Sequence, residues 1–387
     1  MEDGDARADR GQGRASRPKW SVRTRRGGVL VGAAVVLVAG GLGTWATGGW
    51  PFGGEDRYCW GSWEANSGPG FLSDTVFEGD EEGARTSEET APTPRRPAGR
   101  CEVRLRSGST GGDGEETSRS TGITLTYGPA PKDAAERMEW IGAYLGDLAV
   151  PLPDGLPGAS DGRRGLLVLP ERCDARDGRP ATVTLDSDAR TEWSGGSMRA
   201  KAGLGGVRSV AGLLVSAANR GMAAAGCAPA KPLRVSSPVL LLPEDETSVF
   251  SGACRIKGLE FDEVTRKTLE YQVGAVTRDL QSCAVRAERG GSRYFDALMV
   301  ARPRLAALFD GTTGSGAPAG GWRGSGVFAD DYKVVRADCA GRPVTLLMVD
   351  DLTDDTTPYF TAFTNAVTAR LGCAPVAPVA ASGGSER

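Results

Sequence analysis

The feature that most constrains this chain is a cysteine-centred pattern that occurs twice. Cys173, Gly178-Arg179-Pro180, the run Ala181–Leu185 and a helix-like segment ending Ala225-Gly226-Cys227-Ala228-Pro229 are matched by Cys339, Gly341-Arg342-Pro343, Val344–Val349 and a segment ending Leu371-Gly372-Cys373-Ala374-Pro375. Cys59, Cys101, Cys254 and Cys283 complete two quartets, with Cys101-Glu102-Val103-Arg104 echoed by Cys283-Ala284-Val285-Arg286. Eight cysteines, none of them in the first 58 residues, read as four disulfides made in an oxidising compartment. Four cysteines allow three pairings per quartet. The strand after each GRP turn runs away from it and the final helix runs back, so Cys173 should meet Cys227 and Cys339 should meet Cys373. Elimination then leaves Cys59–Cys101 and Cys254–Cys283.

The repeat interval, roughly 150 to 180 residues, is far above solenoid periods and implies two domains rather than an array. Each copy reads as β-β-β-α-β-β-α. In the first, the strand-like run Ile123–Tyr127 precedes a helix over 131–148 with Met138, Ile141, Leu145 and Leu148 on one face. In the second, Phe295–Val300 precedes a short helix opened by Pro303, with Leu305, Leu308 and Phe309 inward. Asp80–Gly99 and Ser107–Gly122, rich in Gly, Glu, Ser and Thr, read as solvated insertions, as does Gly311–Gly326.

Ahead of the cysteines, residues 1–26 hold eight basic and four acidic side chains and no apolar periodicity, which reads as a disordered tail. Val29–Gly49 is an uncharged apolar stretch long enough for a membrane-crossing helix. The basic residues before it and Glu55-Asp56 after it place the N-terminus in the cytoplasm and the rest outside. A signal peptide cleaved near Ala46–Gly48 is the competing reading. Gly28, Gly32, Val36, Gly40, Thr44 and Gly48 recur at intervals of four, the ridge of a helix homodimer or the ordinary glycine of membrane helices. The expected class is therefore α+β: an N-terminal transmembrane helix (27–50) and two tandem duplicated disulfide-stapled domains, 55–235 and 236–380, before a disordered end at 381–387.

The Arg-rich tail, the single apolar helix, Cys59-Trp60-Gly61-Ser62-Trp63, Arg172-Cys173 with Asp338-Cys339, the GRP turns and the paired GCAP ends together resemble a group of actinobacterial membrane-anchored proteins. The resemblance spans nearly the whole chain. It implies location and organisation and carries no activity.

The chain has no histidine and a net charge of −3, of which the basic tail contributes +4, leaving −7 on the remainder. The first fact removes Ser–His and Cys–His nucleophile pairs and every His-containing metal site. The second argues against nucleic acid and anionic wall polymers. Gly158-Ala159-Ser160-Asp161-Gly162 matches a nucleophile elbow, yet precedes a strand and has no histidine to serve it. Gly203-Leu204-Gly205-Gly206 precedes a helix over 207–225 but lacks a dinucleotide fingerprint and reads as a plain helix entry. Asp350, Asp351, Asp354 and Asp355 could hold calcium, or simply serve a helix N-terminus capped by Thr357. Trp60, Trp63, Trp193 and Trp322 could stack sugars or partner side chains, or pack beside disulfides. No catalytic, cofactor-binding or metal residue is singled out. The expectation is a non-enzymatic envelope protein binding another envelope protein or a wall component. The alternative is a histidine-free hydrolase cutting glycans through paired carboxylates.

Overall fold

Two kinds of strand build this protein, and the sequence distinguishes them. Leu166-Leu167-Val168-Leu169 and Val344–Val349 are nearly unbroken apolar runs, the mark of strands buried on both faces. The stretches 106–110 and 116–122 contain no apolar residue, and yet they too are strand. The computed structural model describes residues 57–78, 83–110, 116–242, 253–255, 269–287, 293–350 and 355–379.

A short ribbon, β1 (Arg57–Tyr58) with β2 (Trp63–Glu64), precedes an eight-stranded antiparallel sheet. Its strands are β3 (Ala84–Thr90), β4 (Gly99–Thr110), β5 (Glu116–Pro129), β6 (Val150–Pro151), β7 (Gly158–Ser160), β8 (Gly165–Val168), β9 (Ala181–Trp193) and β10 (Gly196–Ala200), in the order β3-β4-β5-β9-β8-β7-β6 with β10 beside β9. Helix α1 (Ala134–Leu145) follows β5, and α2 (Gly206–Ala225) follows β10. The second sheet holds β11 (Leu269–Val276), β12 (Leu280–Ala287), β13 (Arg293–Val300), β14 (Ser325–Phe328), β15 (Tyr332–Cys339) and β16 (Arg342–Asp350), ordered β11-β12-β13-β16-β15-β14. Helix α3 (Pro303–Ala306) follows β13 and α4 (Thr357–Arg370) follows β16. The path β3-β4-β5-β9-β8-β7 of the larger sheet thus has the same connections as the whole of the smaller one.

Local chemistry sets the boundaries. Asp133 caps α1, its Oδ1 accepting from the Glu136 amide at 3.0 Å. Pro303 opens α3. Between β15 and β16 the turn Ala340-Gly341 has both residues left-handed (φ +55° and +82°), the tight hairpin geometry matching strand twist. Gly226 ends α2 at φ +77°.

Alternate side chains divide the core. Leu167, Leu169, Val183 and Leu185 pack with Val210, Leu214 and Met222 of α2. Ala297, Met299, Leu346 and Met348 pack with Phe360, Phe363 and Val367 of α4. The opposite faces meet each other: Leu166 and Val168 share one cluster with Met138, Ile141 and Leu145 of α1, Leu305, Leu308 and Phe309, and Leu298, Val300, Leu347 and Val349 of the second sheet. The layers run α2, sheet, α1 with α3, sheet, α4.

Several expectations are corrected. The body is mostly β rather than α+β, with four α-helices among the described residues. Each half carries three or more strands, not two, between its helices, so β-β-β-α-β-β-α is wrong. The halves are not tandem domains: Asp56–Arg387 form one compact unit, because a sheet with two apolar faces and one covering helix must bury its second face elsewhere. The described residues of Asp80–Gly99 and Ser107–Gly122 are mostly exposed or half-buried, as expected, but they are not loops throughout, since β3, the end of β4 and the start of β5 run through them. The membrane-crossing segment 27–50, its glycine ridge, the tail 1–26 and the end 381–387 lie outside the described residues, among which no helix is long and apolar enough to cross a membrane. The disulfides join Cys173–Cys227 and Cys339–Cys373, as chain direction favours, and Cys59–Cys101 and Cys254–Cys283, the pairs left by elimination.

Charges lock the seam between the halves. Asp147 pairs with Arg164 of its own half and with Arg286 of the other. Arg286 lies 3.0 Å from Asp296, and Arg293 bridges Asp296 (3.4 Å) to Glu139 of α1 (2.9 Å). Asp296 is buried, and that burial, helped by the Asp147 charge and opposed by Arg286 and Arg293, pushes its carboxyl up to about 6. An acid whose folded pKa lies above its unfolded value binds its proton more tightly when folded. Its contribution is therefore present at low pH and is lost as pH rises from about 4 to about 6. The two-unit gap corresponds to roughly 3 kcal/mol. Denaturant titrations of wild type and Asp296→Asn across pH 4 to 7.5 should diverge in this window, the variant lacking the decline. Parallel curves would show that folding does not raise the Asp296 pKa.

Candidate functional site

On the α1 side of the larger sheet, Tyr144 packs over β9 beside Thr184, and burial pushes its hydroxyl up to about 12. Beyond that covered region the strands β4, β5, β9 and β10 continue as an open platform. Period-two alternation and register place its side chains in rows across the strands. Arg104 lies opposite Gly122, which lies opposite Asp188. In the next row Arg106, Ser120, Arg190 and Arg199 follow one another across four strands, and in the next Gly108, Ser118, Glu192 and Ser197.

Members of these rows on β4, β5 and β9, with Glu102, line an open cleft of about 420 Å³; they include Arg104, Arg106, Ser118, Ser120, Asp188, Arg190 and Glu192, and Arg199 of β10 continues the Arg106 row outside that lining. Arg104 donates to Glu102 at 2.6 Å, and this hydrogen bond, with Arg100 adding to it, holds the Glu102 carboxyl below the usual range. Arg190 pairs with Glu192 at 2.6 Å, but its Nε is buried without a partner. Arg106 and Arg199 have no ion-pair or hydrogen-bond partner among the described residues. A Cβ at Gly122 would stand 2.5 Å from Asp188 Oδ1, so glycine is what lets that carboxylate lie across the neighbouring strand.

This cleft went unseen in the sequence because its strands carry polar residues on both faces, where the binary pattern is silent. The one available signal was the recurrence of arginine at 104, 106 and 190, even-numbered positions on strands that could pair.

The residues singled out in sequence do other work. Ser160 is fully buried at the end of β7; its hydroxyl donates to the Arg164 carbonyl (2.8 Å) and accepts from the Gly162 amide (3.0 Å). A strand follows it, so no elbow forms. Gly205 and Gly206 enter α2 at φ +82° and +83°, and a side chain at Gly205 would meet Ser209 and Pro69 at 2.8 and 3.1 Å. The residues 203–206 are a packed helix entry. The aspartates separate: Asp350 is buried, Asp355 accepts from the Thr357 amide (2.9 Å), and Asp351 and Asp354 lie outside the described residues. Thr356 rather than Thr357 occupies the cap position of α4. Among the described residues no three His, Cys, Asp or Glu side chains are placed to hold a metal. Trp63 is buried and donates to the Leu213 carbonyl (3.3 Å), Trp322 stacks on Phe360, and Trp60 meets Tyr127 edge-on. Trp193 alone is exposed, folded over its own turn at Gly195 and Gly196 on the opposite face of the platform.

One constellation was missed altogether. Lys333 Nζ donates to Thr356 Oγ1 (2.6 Å) and sits 3.3 Å from Asp350 Oδ2, which accepts from the same threonine (2.7 Å). A lysine–threonine pair can serve nucleophilic chemistry without histidine. Here Thr356 is fully buried and its proton is given to Asp350, so the triangle is a sealed ionic lock. No family model, curated protein or solved structure matches this chain.

Proposed function

We propose that residues 56–387 form a non-enzymatic binding module of the cell envelope, working on the oxidising side of a membrane and holding its ligand, an envelope protein or wall component, on the platform β4-β5-β9-β10. The observation that carries this reading is a polar cleft with guanidinium donors left unpaired. The four disulfides favour the oxidising location. Glycan hydrolysis through paired carboxylates fits the cleft less well. A general acid needs a raised pKa, whereas Glu102 is held low by Arg104, and no aromatic side chain lines the walls. Co-sedimentation of the purified chain with isolated envelope material tests the reading. Saturable binding that is lost in Arg106→Glu, with no soluble sugar released, is the expected result. Release of reducing ends in proportion to added protein would put the hydrolase in its place.

A further inference from the structure

We infer that the platform cleft binds an acidic saccharide, a hydroxyl-rich chain carrying carboxylates; this rests on the binding reading above and names its ligand class. The row Arg106–Ser120–Arg190–Arg199 sets Arg190 and Arg199 directly opposite each other, with Arg106 two strands away. Like charges placed opposite on neighbouring strands destabilise a sheet. Only Arg190 has a compensating carboxylate, Glu192, and its buried Nε is still unsatisfied. Arg106 and Arg199 project from an exposed surface with no partner among the described residues. Strands about 4.8 Å apart space these guanidiniums along a line across the sheet, and the planar fork of arginine suits carboxylate bidentately.

The carboxylates choose between anions. Asp188, held across Gly122, and Glu192 lie beside the arginine row. They would repel a ligand dense in phosphate, but they accept hydrogen bonds from hydroxyls. A sugar chain with one carboxylate per few hydroxyls satisfies both sets, with Ser118 and Ser120 as further partners. The net charge of the body, which argues against anionic polymers in general, is outweighed at this cleft because the positive row is local and screening confines distant charges to about a Debye length.

Calorimetry on the full-length chain uses three probes: an oligogalacturonate, the same oligomer with its carboxyls reduced to alcohols, and a polyphosphate of matched charge. The oligogalacturonate should bind at least about tenfold more tightly than either of the others. Arg106→Ala and Arg199→Ala should each weaken it by about tenfold, the loss of one charge-assisted contact. Arg106→Lys should recover only part of this, and Arg57→Ala, at a residue outside the cleft lining, should bind as wild type does. Thermal melts should not fall for these exposed positions, and Arg199→Ala, which relieves the opposition to Arg190, should hold or raise the midpoint. Equal binding of the reduced oligomer, tighter binding of polyphosphate, undiminished binding by the arginine variants, or no heat with any probe would each overturn the assignment. None of these touches the non-enzymatic reading, which fails separately if the oligomer is cut and new reducing ends appear.

Discussion

Replacing Lys333 by methionine is expected to destabilise the protein by about 3–5 kcal/mol, one of the largest single-residue losses available in it. The lysine and Asp350 side chains are 7% and 1% exposed, and Thr356 closes the triangle from the cap of α4. Removing the cation leaves a buried carboxylate with one hydroxyl donor and no countercharge. The lost stability is the penalty of that stranded charge, not the worth of the pair. A matched apolar replacement, Lys333→Met with Asp350→Leu, should therefore recover most of it, since burying two ions already costs nearly what their attraction returns. Urea titrations of the three proteins at neutral pH check this. If the double variant is as damaged as the single one, the triangle contributes through its geometry rather than its charge balance.

The second large effect belongs to the Cys173–Cys227 bridge. It closes a loop of sequence separation 54, for which loop-closure entropy gives about 4 kcal/mol. The bridge also ties the end of α2 to the connection between β8 and β9. Tyr127 packs against this corner, its hydroxyl 3.4 Å from Cys227 Sγ. Serine at both positions should thus lower the denaturation midpoint more than the same change at Cys254 and Cys283, whose separation of 29 predicts about 3.5 kcal/mol. Equal losses, or a larger one at Cys254–Cys283, would mean that packing around each bridge outweighs chain entropy.

What was legible in the sequence follows the physics of each signal. Helix faces were, because burial repeats every three to four residues: Met138, Ile141 and Leu145 face the core as their spacing implies, while Leu148 lies beyond the end of α1, half-buried. The pairs Cys173–Cys227 and Cys339–Cys373 were, because chain direction places the partners at one end, and the other two followed by elimination. The strand segments 106–110 and 116–122 were not. Their residues are polar on both faces, and strand formation there depends on hydrogen bonds to β9 and β3, whose positions no local window contains. The arginine row was invisible for the same reason, since it exists only once four strands are in register. The Lys333–Asp350–Thr356 triangle joins two strands and a helix cap that are neighbours only in space.

By itself the sequence determined that the chain carries two matching quartets of cysteines, that its helices bury particular stripes, and that histidine chemistry is absent. These are properties of composition and short-range spacing. Tertiary structure alone decided that the two halves share a core instead of standing apart, because only there does each sheet find cover for the apolar face its own helix leaves bare. It decided, too, where the unpaired guanidiniums gather, since strand register is settled by the packing of the entire sheet.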